Sequence, residues 1–70
     1  MTGLQARLLA AHADNDRHAL VALYQEAADT SADPVAQGFF LTHAYVFALE
    51  LGDPRASDLH ARLKAQGRDS

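Results

Sequence analysis

Apolar residues recur at helical spacing in four segments of the chain, and short polar turns separate these segments. The longest segment, Val35 to Leu51, holds all three Phe residues and one of the two Tyr residues. Its side chains are apolar almost all the way round a helix, so the other segments are expected to cover it. Phe, Tyr and Val also favour strands, but the length of the run and its end signals indicate a helix.

Both ends of this central helix carry local signals. Asp33 occupies an N-cap position, and Pro34 follows at the first helical position, where its fixed φ is favourable. Gly52 follows Leu51 at the position where a helix often ends in a left-handed residue. The sequence therefore predicts a helix over 34–51.

Two apolar stripes run along the central helix. The first stripe consists of Val35, Phe39, Val46 and Leu49, and the second stripe, roughly 100° further round, of Phe40, Phe47 and Leu51. We expect the first stripe to face the core, so that Val46→Asp would unfold the domain by burying an unpaired charge. The small residues Gly38, Ala44 and Ala48 are expected to let a neighbouring helix approach closely.

The remaining segments predict three more helices, which gives helices over about 3–13, 16–29, 34–51 and 54–66. Thr2 and Gln5 match a capping box at the first helix, and Asp14 or Asp16 can cap the second. Asp53 and Pro54 repeat the Asp-Pro signal before the last helix. Asp58 and Arg62 of that helix are spaced for an i,i+4 ion pair.

These elements predict a single all-α domain spanning 1–70, in which short loops join four helices as two helical hairpins. Ala44-Tyr45, Leu51-Gly52-Asp53 and Ala56 resemble the helix–turn–helix of a tetratricopeptide repeat. That resemblance implies a protein-interaction scaffold of stacked hairpins, and a compact four-helix bundle is the alternative. The stretch FFLTHAYVFALELGDPRASDLHARL is also similar to short uncharacterised bacterial proteins of alphaproteobacterial type, a resemblance that implies no activity.

Charge and composition narrow the classes of partner. The net charge is −3, with nine acidic and six basic residues, so no basic stripe is present to bind nucleic acid or an anionic membrane. No apolar run reaches the roughly 18 residues that a membrane span needs. The first residues lack the basic region of a signal peptide, so we expect a cytoplasmic protein. The chain has no Cys, and neither disulfides nor thiolate sites are expected.

The four His residues are the main candidates for site chemistry, but none has another His three or four residues away. A zinc site usually needs such spacings, so we expect no metal, no cofactor and no catalytic residues. His43 lies between the two stripes of the central helix. It is either a half-buried residue bonded to a neighbouring helix or a polar group at the mouth of a groove.

The second stripe is the candidate partner surface, because the flanking helices have narrow apolar faces and cannot cover the central helix completely. The predicted contact residues are Phe40, His43, Phe47 and Leu51. The function expected from the sequence is a small protein-interaction or adaptor module, not an enzyme. The alternatives are a homodimer with a structural or regulatory role and a small-ligand or metal binder around His43.

Overall fold

The computed structural model describes residues 3–67 and contains four α-helices. They are α1 (Leu4–Ala13), α2 (Arg17–Thr30), α3 (Pro34–Leu51) and α4 (Arg55–Gly67). No strand occurs within this range, so the all-α prediction is confirmed. The predicted helix limits agree with the observed ones to within one residue at each end.

The ends of α3 are formed by the residues that the sequence suggested. The Asp33 carboxylate accepts a hydrogen bond from the Val35 amide at 3.0 Å, and Pro34 occupies the first turn. Gly52 has a φ of 65°, in the left-handed region where a residue without Cβ is favoured. Local sequence alone therefore fixes where the central helix begins and ends.

The other helix starts agree with the predictions in part. Asp16, rather than Asp14, caps α2, and its carboxylate accepts from the Ala19 amide at 3.1 Å. The N-cap of α1 is Gly3, which makes no side-chain bond, while Thr2 of the predicted capping box lies outside the described residues. The Asp53 carboxylate accepts from the Arg55 amide at 2.9 Å, so α4 begins one residue after Pro54.

Each helix packs against the next one along the chain, with α3 between α2 and α4 and with α1 against α2. The resulting shape is a plate of 37 × 28 × 12 Å. The four exposed large apolar residues of α3 all lie on one side of this helix, so that side of α3 remains open.

The core lies where α2, α3 and α4 meet. Its buried cluster consists of Val21, Ala28, Leu41, Ala44, Ala48 and Leu59. Ala44 and Ala48 are completely buried, which confirms the expectation that small residues on α3 permit close approach of a neighbouring helix.

The prediction that the first stripe faces the core is wrong. Val35 is 80% exposed, Phe39 57%, Val46 46% and Leu49 55%. The buried side of α3 is centred on Leu41, Ala44 and Ala48 instead, and Val46 lies about 160° round the helix from Ala44. The small side chains turn inward because they let α2 and α4 come close, and this leaves the larger Val and Phe side chains outside.

Candidate functional site

The open side of α3 presents five residues that we call the α3 seam. They are Val35, Phe39, Thr42, Val46 and Leu49. Their spacings are four, three, four and three residues, the alternation of the a and d positions of a heptad repeat. An exposed heptad stripe of this kind is the pattern by which one helix packs along another.

Thr42 is the polar member of the α3 seam, and its hydroxyl is already bonded. Its Oγ1 donates to the Gly38 carbonyl oxygen at 2.8 Å within the same helix. A partner that covers the α3 seam would therefore not leave the Thr42 hydroxyl buried without a hydrogen bond. The seam spans 14 residue steps from Val35 to Leu49, about 21 Å of helix.

A second feature, which we call the ring cluster, adjoins the α3 seam. It consists of His12, Tyr24, Phe39, Phe40, His43 and Phe47, from α1, α2 and α3. Tyr24 stacks on Phe47 with ring centroids 6.0 Å apart and on His43 with centroids 5.1 Å apart. Its hydroxyl lies 2.9 Å from His12 Nε2, so a hydrogen bond joins α1 to α2 at this point.

Phe39 belongs to both features and connects them. Its ring centroid is 4.3 Å from that of His43 and 5.7 Å from that of Phe40. His43 Nδ1 lies 2.9 Å from the Phe39 carbonyl oxygen, which can only accept, so Nδ1 carries the proton. In the neutral imidazole, Nε2 is then an acceptor at the border of the α3 seam.

None of the four residues predicted as partner contacts is fully buried. Phe40, Phe47 and Leu51 are half-buried and pack against the core cluster. His43 is also half-buried, but its hydrogen bond goes to its own helix rather than to a neighbouring one. Three of these four residues, all except Leu51, lie together in the ring cluster.

Tyr24, His12 and Phe39 are the members of the ring cluster that are not among the residues predicted as partner contacts. For Tyr24 the reason is that helical periodicity identifies the apolar face of a helix but not the residue that packs opposite it. His12 contacts Phe47 with ring centroids 6.0 Å apart, although α1 and α3 are not neighbours in sequence. Helical periodicity describes one helix at a time, so it cannot reveal contacts between residues of different helices.

Other side-chain groups and two clefts lie outside the α3 seam and the ring cluster. Within residues 3–67, no group of three or more His, Cys, Asp and Glu side chains converges on a possible metal position. His60 stands beside Tyr45 with centroids 5.7 Å apart, and both line a cleft of about 230 Å³ between α3 and α4. A second cleft lies between α1 and α2, and His43 lines neither of the two.

Ion pairs lie around the α3 seam rather than on it. Arg7 binds Glu26 across α1 and α2 at 2.9 Å, and Arg17 binds Glu50 across α2 and α3 at 3.2 Å. The hydrogen bond from Arg7 lowers the pKa of Glu26 below its usual value. The α3 seam itself contains no charged residue, and Thr42 is its one polar member.

The predicted pair of Asp58 with Arg62 is wrong. Arg62 reaches α2 instead, where its guanidinium donates to the Asp29 carboxylate at 2.6 Å. The i,i+4 spacing allows the local pair. The packing of α2 and α4 around the core, however, brings the exposed Asp29 carboxylate of α2 within reach of Arg62. This ion pair joins α4 to α2 across the core.

No helix in the described part of the chain is both long and apolar enough to cross a membrane. Comparison with models of known protein families, with curated proteins and with solved structures gave no match. The α3 seam and the ring cluster are therefore the features of the molecule that bear on its function.

Proposed function

We propose that this protein is a small protein-interaction module that binds a helix of a protein partner along the α3 seam. The observation that carries the proposal is the exposure of four large apolar side chains, Val35, Phe39, Val46 and Leu49, along one side of one helix. A contiguous apolar stripe of this length on a small domain is typical of a contact surface.

The ring cluster supports the α3 seam from one side. Phe40 and Phe47 contact Tyr24 and pack against the core cluster, which fixes their positions beside the α3 seam. Phe39 and His43 lie at the border, where they are accessible from the seam. In this proposal the contact surface is the α3 seam instead of the second stripe, and the half-buried His43 lies between the two on α3.

A capture experiment with a matched pair of variants tests this proposal. Val46→Asp places a charge in the middle of the α3 seam, and Ala61→Asp places the same charge at an exposed position of α4. We expect the wild-type chain and Ala61→Asp to retain the same protein from native lysate, and Val46→Asp to lose it. Retention by all three chains, or by none, would contradict the proposal.

A further inference from the structure

We infer that the helix bound along the α3 seam is α3 of a second copy of this chain, packed antiparallel about a two-fold axis near Thr42. This inference rests on the proposed function and names the partner of the same surface. The resulting dimer is symmetric, and the same patch of both copies forms the contact.

The spacing of the exposed residues identifies the partner as a helix. The α3 seam follows the a and d alternation over two heptads, from Val35 to Leu49. Such a stripe offers knobs and holes at intervals that another helix with the same repeat can match. A second α3 carries that repeat over the same length.

The α3 seam is also complementary to itself. Thr42 stands at its centre with its hydroxyl bonded internally, so two copies can meet there without burying an unpaired donor. An axis through this point sets the Val35 end of one copy against the Leu49 end of the other. Apart from the two Thr42 residues at the axis, apolar side chains then meet apolar side chains along the contact.

Charges at the ends of α3 favour the antiparallel arrangement. A parallel pair would bring Asp33 against Asp33 and Glu50 against Glu50 of the two copies. An antiparallel pair instead sets the Asp33 end beside the end where Arg17 and Glu50 form an ion pair. It also places the positive N-terminus of each helix dipole beside the negative C-terminus of the other.

The distribution of apolar residues shows why a second copy is needed. Among the described residues, five large apolar side chains are exposed, four on the α3 seam and the fifth, Leu9, on α1, while the fully buried side chains larger than Ala are Leu20, Val21, Leu41 and Leu59. A small domain of this kind gains much of its stability from covering such a surface.

The contact area extends beyond the α3 seam itself. A stable dimer buries about 800 Å² per copy, roughly a fifth of the 4452 Å² surface of this chain. The α3 seam forms the centre of such a contact. When the side-chain ridges of one helix pack into the grooves of the other, residues on both flanks of the seam are covered as well. On one flank lies His43, and on the other the cleft of about 230 Å³ beside Tyr45 and Leu49 can receive a side chain of the second copy.

Cysteine cross-linking tests both the partner and the orientation, because the chain has no Cys of its own. Under mild oxidation, Thr42→Cys should link to itself, whereas Val35→Cys and Leu49→Cys should form a dimer only when the two are mixed. Ala61→Cys on the exposed side of α4 is the matched control and should form no disulfide-linked dimer. Sedimentation of the wild-type chain should show a dimer that dissociates on dilution, and Val46→Asp should weaken it at least tenfold.

Each alternative result has a defined meaning. Self-linking of Val35→Cys and Leu49→Cys separately, without linking in the mixture, would overturn the antiparallel arrangement. A wild-type chain that stays monomeric at all concentrations, with no Thr42→Cys dimer, would overturn the second copy as partner. If such a monomer still captured a protein that Val46→Asp loses, the proposed function would stand while this inference failed.

Discussion

Val46 and Ala44 lie two residues apart on α3 and have opposite surroundings. Ala44 is fully buried against the neighbouring helices, whereas Val46 is 46% exposed on the α3 seam. An identical substitution at the two positions therefore separates the effect of a buried charge from the effect of a surface charge.

Val46→Asp is expected to keep the monomer folded, with a loss of stability of at most about 1 kcal/mol, because its carboxylate stays in water. Ala44→Asp buries a charge with no partner and should cost about 3–5 kcal/mol, comparable to the whole stability of a domain of this size. Thermal unfolding followed by circular dichroism measures both changes. If Val46→Asp lost its helix while Ala44→Asp stayed folded, the side of α3 that carries Val46 would be the buried side, as the sequence predicts.

Asp53 is the residue with the most strongly bound carboxylate among those described. It accepts from the Arg55 amide at 2.9 Å and from the Arg55 guanidinium at 2.6 Å, and His18 Nδ1 lies 4.0 Å away. The hydrogen bonds from the Arg55 side chain, and then from its amide, lower the pKa of Asp53 to about 2. Since the folded state holds the proton less tightly than the unfolded state, the carboxylate stabilises the fold at neutral pH.

That stabilisation should be fully present above about pH 4, the usual range of an Asp pKa, and lost as the pH falls toward about 2. Asp53→Asn keeps a capping oxygen but removes the charge. We expect it to be less stable than the wild-type chain at pH 7 and to approach the wild-type stability near pH 2.5. Chemical unfolding at a series of pH values gives the comparison, and a difference independent of pH would show that the charge has no role.

At the scale of helices, the turn between α1 and α2 offers a test of capping. Asp14 and Asp16 are both exposed and two residues apart, but only Asp16 holds the amide of Ala19. Asp16→Ala should lower the free energy of unfolding by about 1 kcal/mol, as expected for a lost N-cap. Asp14→Ala is the control and should change it by less than about 0.5 kcal/mol. Equal effects of the two substitutions in urea titrations would mean that the cap contributes nothing.

The limits of the helices could be predicted because their causes are local. Asp33, Pro34 and Gly52 act through the backbone of the next few residues, so the sequence contains the whole argument. The inward face of α3 could not be predicted in the same way. A helix that is apolar all round gives no preferred side, and the choice depends on how closely α2 and α4 can approach Ala44 and Ala48.

The candidate site was predictable only in part for the same reason. His43, Phe40 and Phe47 were recognised as neighbours on one helix, which follows from periodicity. Their contacts with Tyr24 and the exposure of Phe39 depend on the packing of other helices. Identification of the α3 seam requires knowledge of which side stays uncovered, and this is a property of the folded plate.

At the scale of the whole molecule, the sequential packing makes α1 the least supported helix. Among the described residues, α1 packs its backbone against α2, its single buried side chain is Ala11, and the ring of His12 also contacts Phe47 of α3. Its other ties to α2 are the Arg7–Glu26 ion pair, which is exposed, and the hydrogen bond of His12 with Tyr24. An exposed ion pair contributes at most about 1 kcal/mol, so α1 should open without the rest of the plate.

Hydrogen exchange followed by NMR should therefore show two levels of protection. Amides in the middle of α2 and α3 are expected to exchange only on global unfolding, and those of α1 at least tenfold faster. Arg7→Gln should speed exchange in α1 but not in α4, whereas Arg62→Gln, which breaks the pair with Asp29, should speed exchange in α4. Equal protection of α1 and α3 would show that the four helices unfold as one unit.

Because the α3 seam contains no residue of α1, opening of α1 should leave association through α3 intact, and sedimentation of Arg7→Gln would confirm this by matching the wild-type chain.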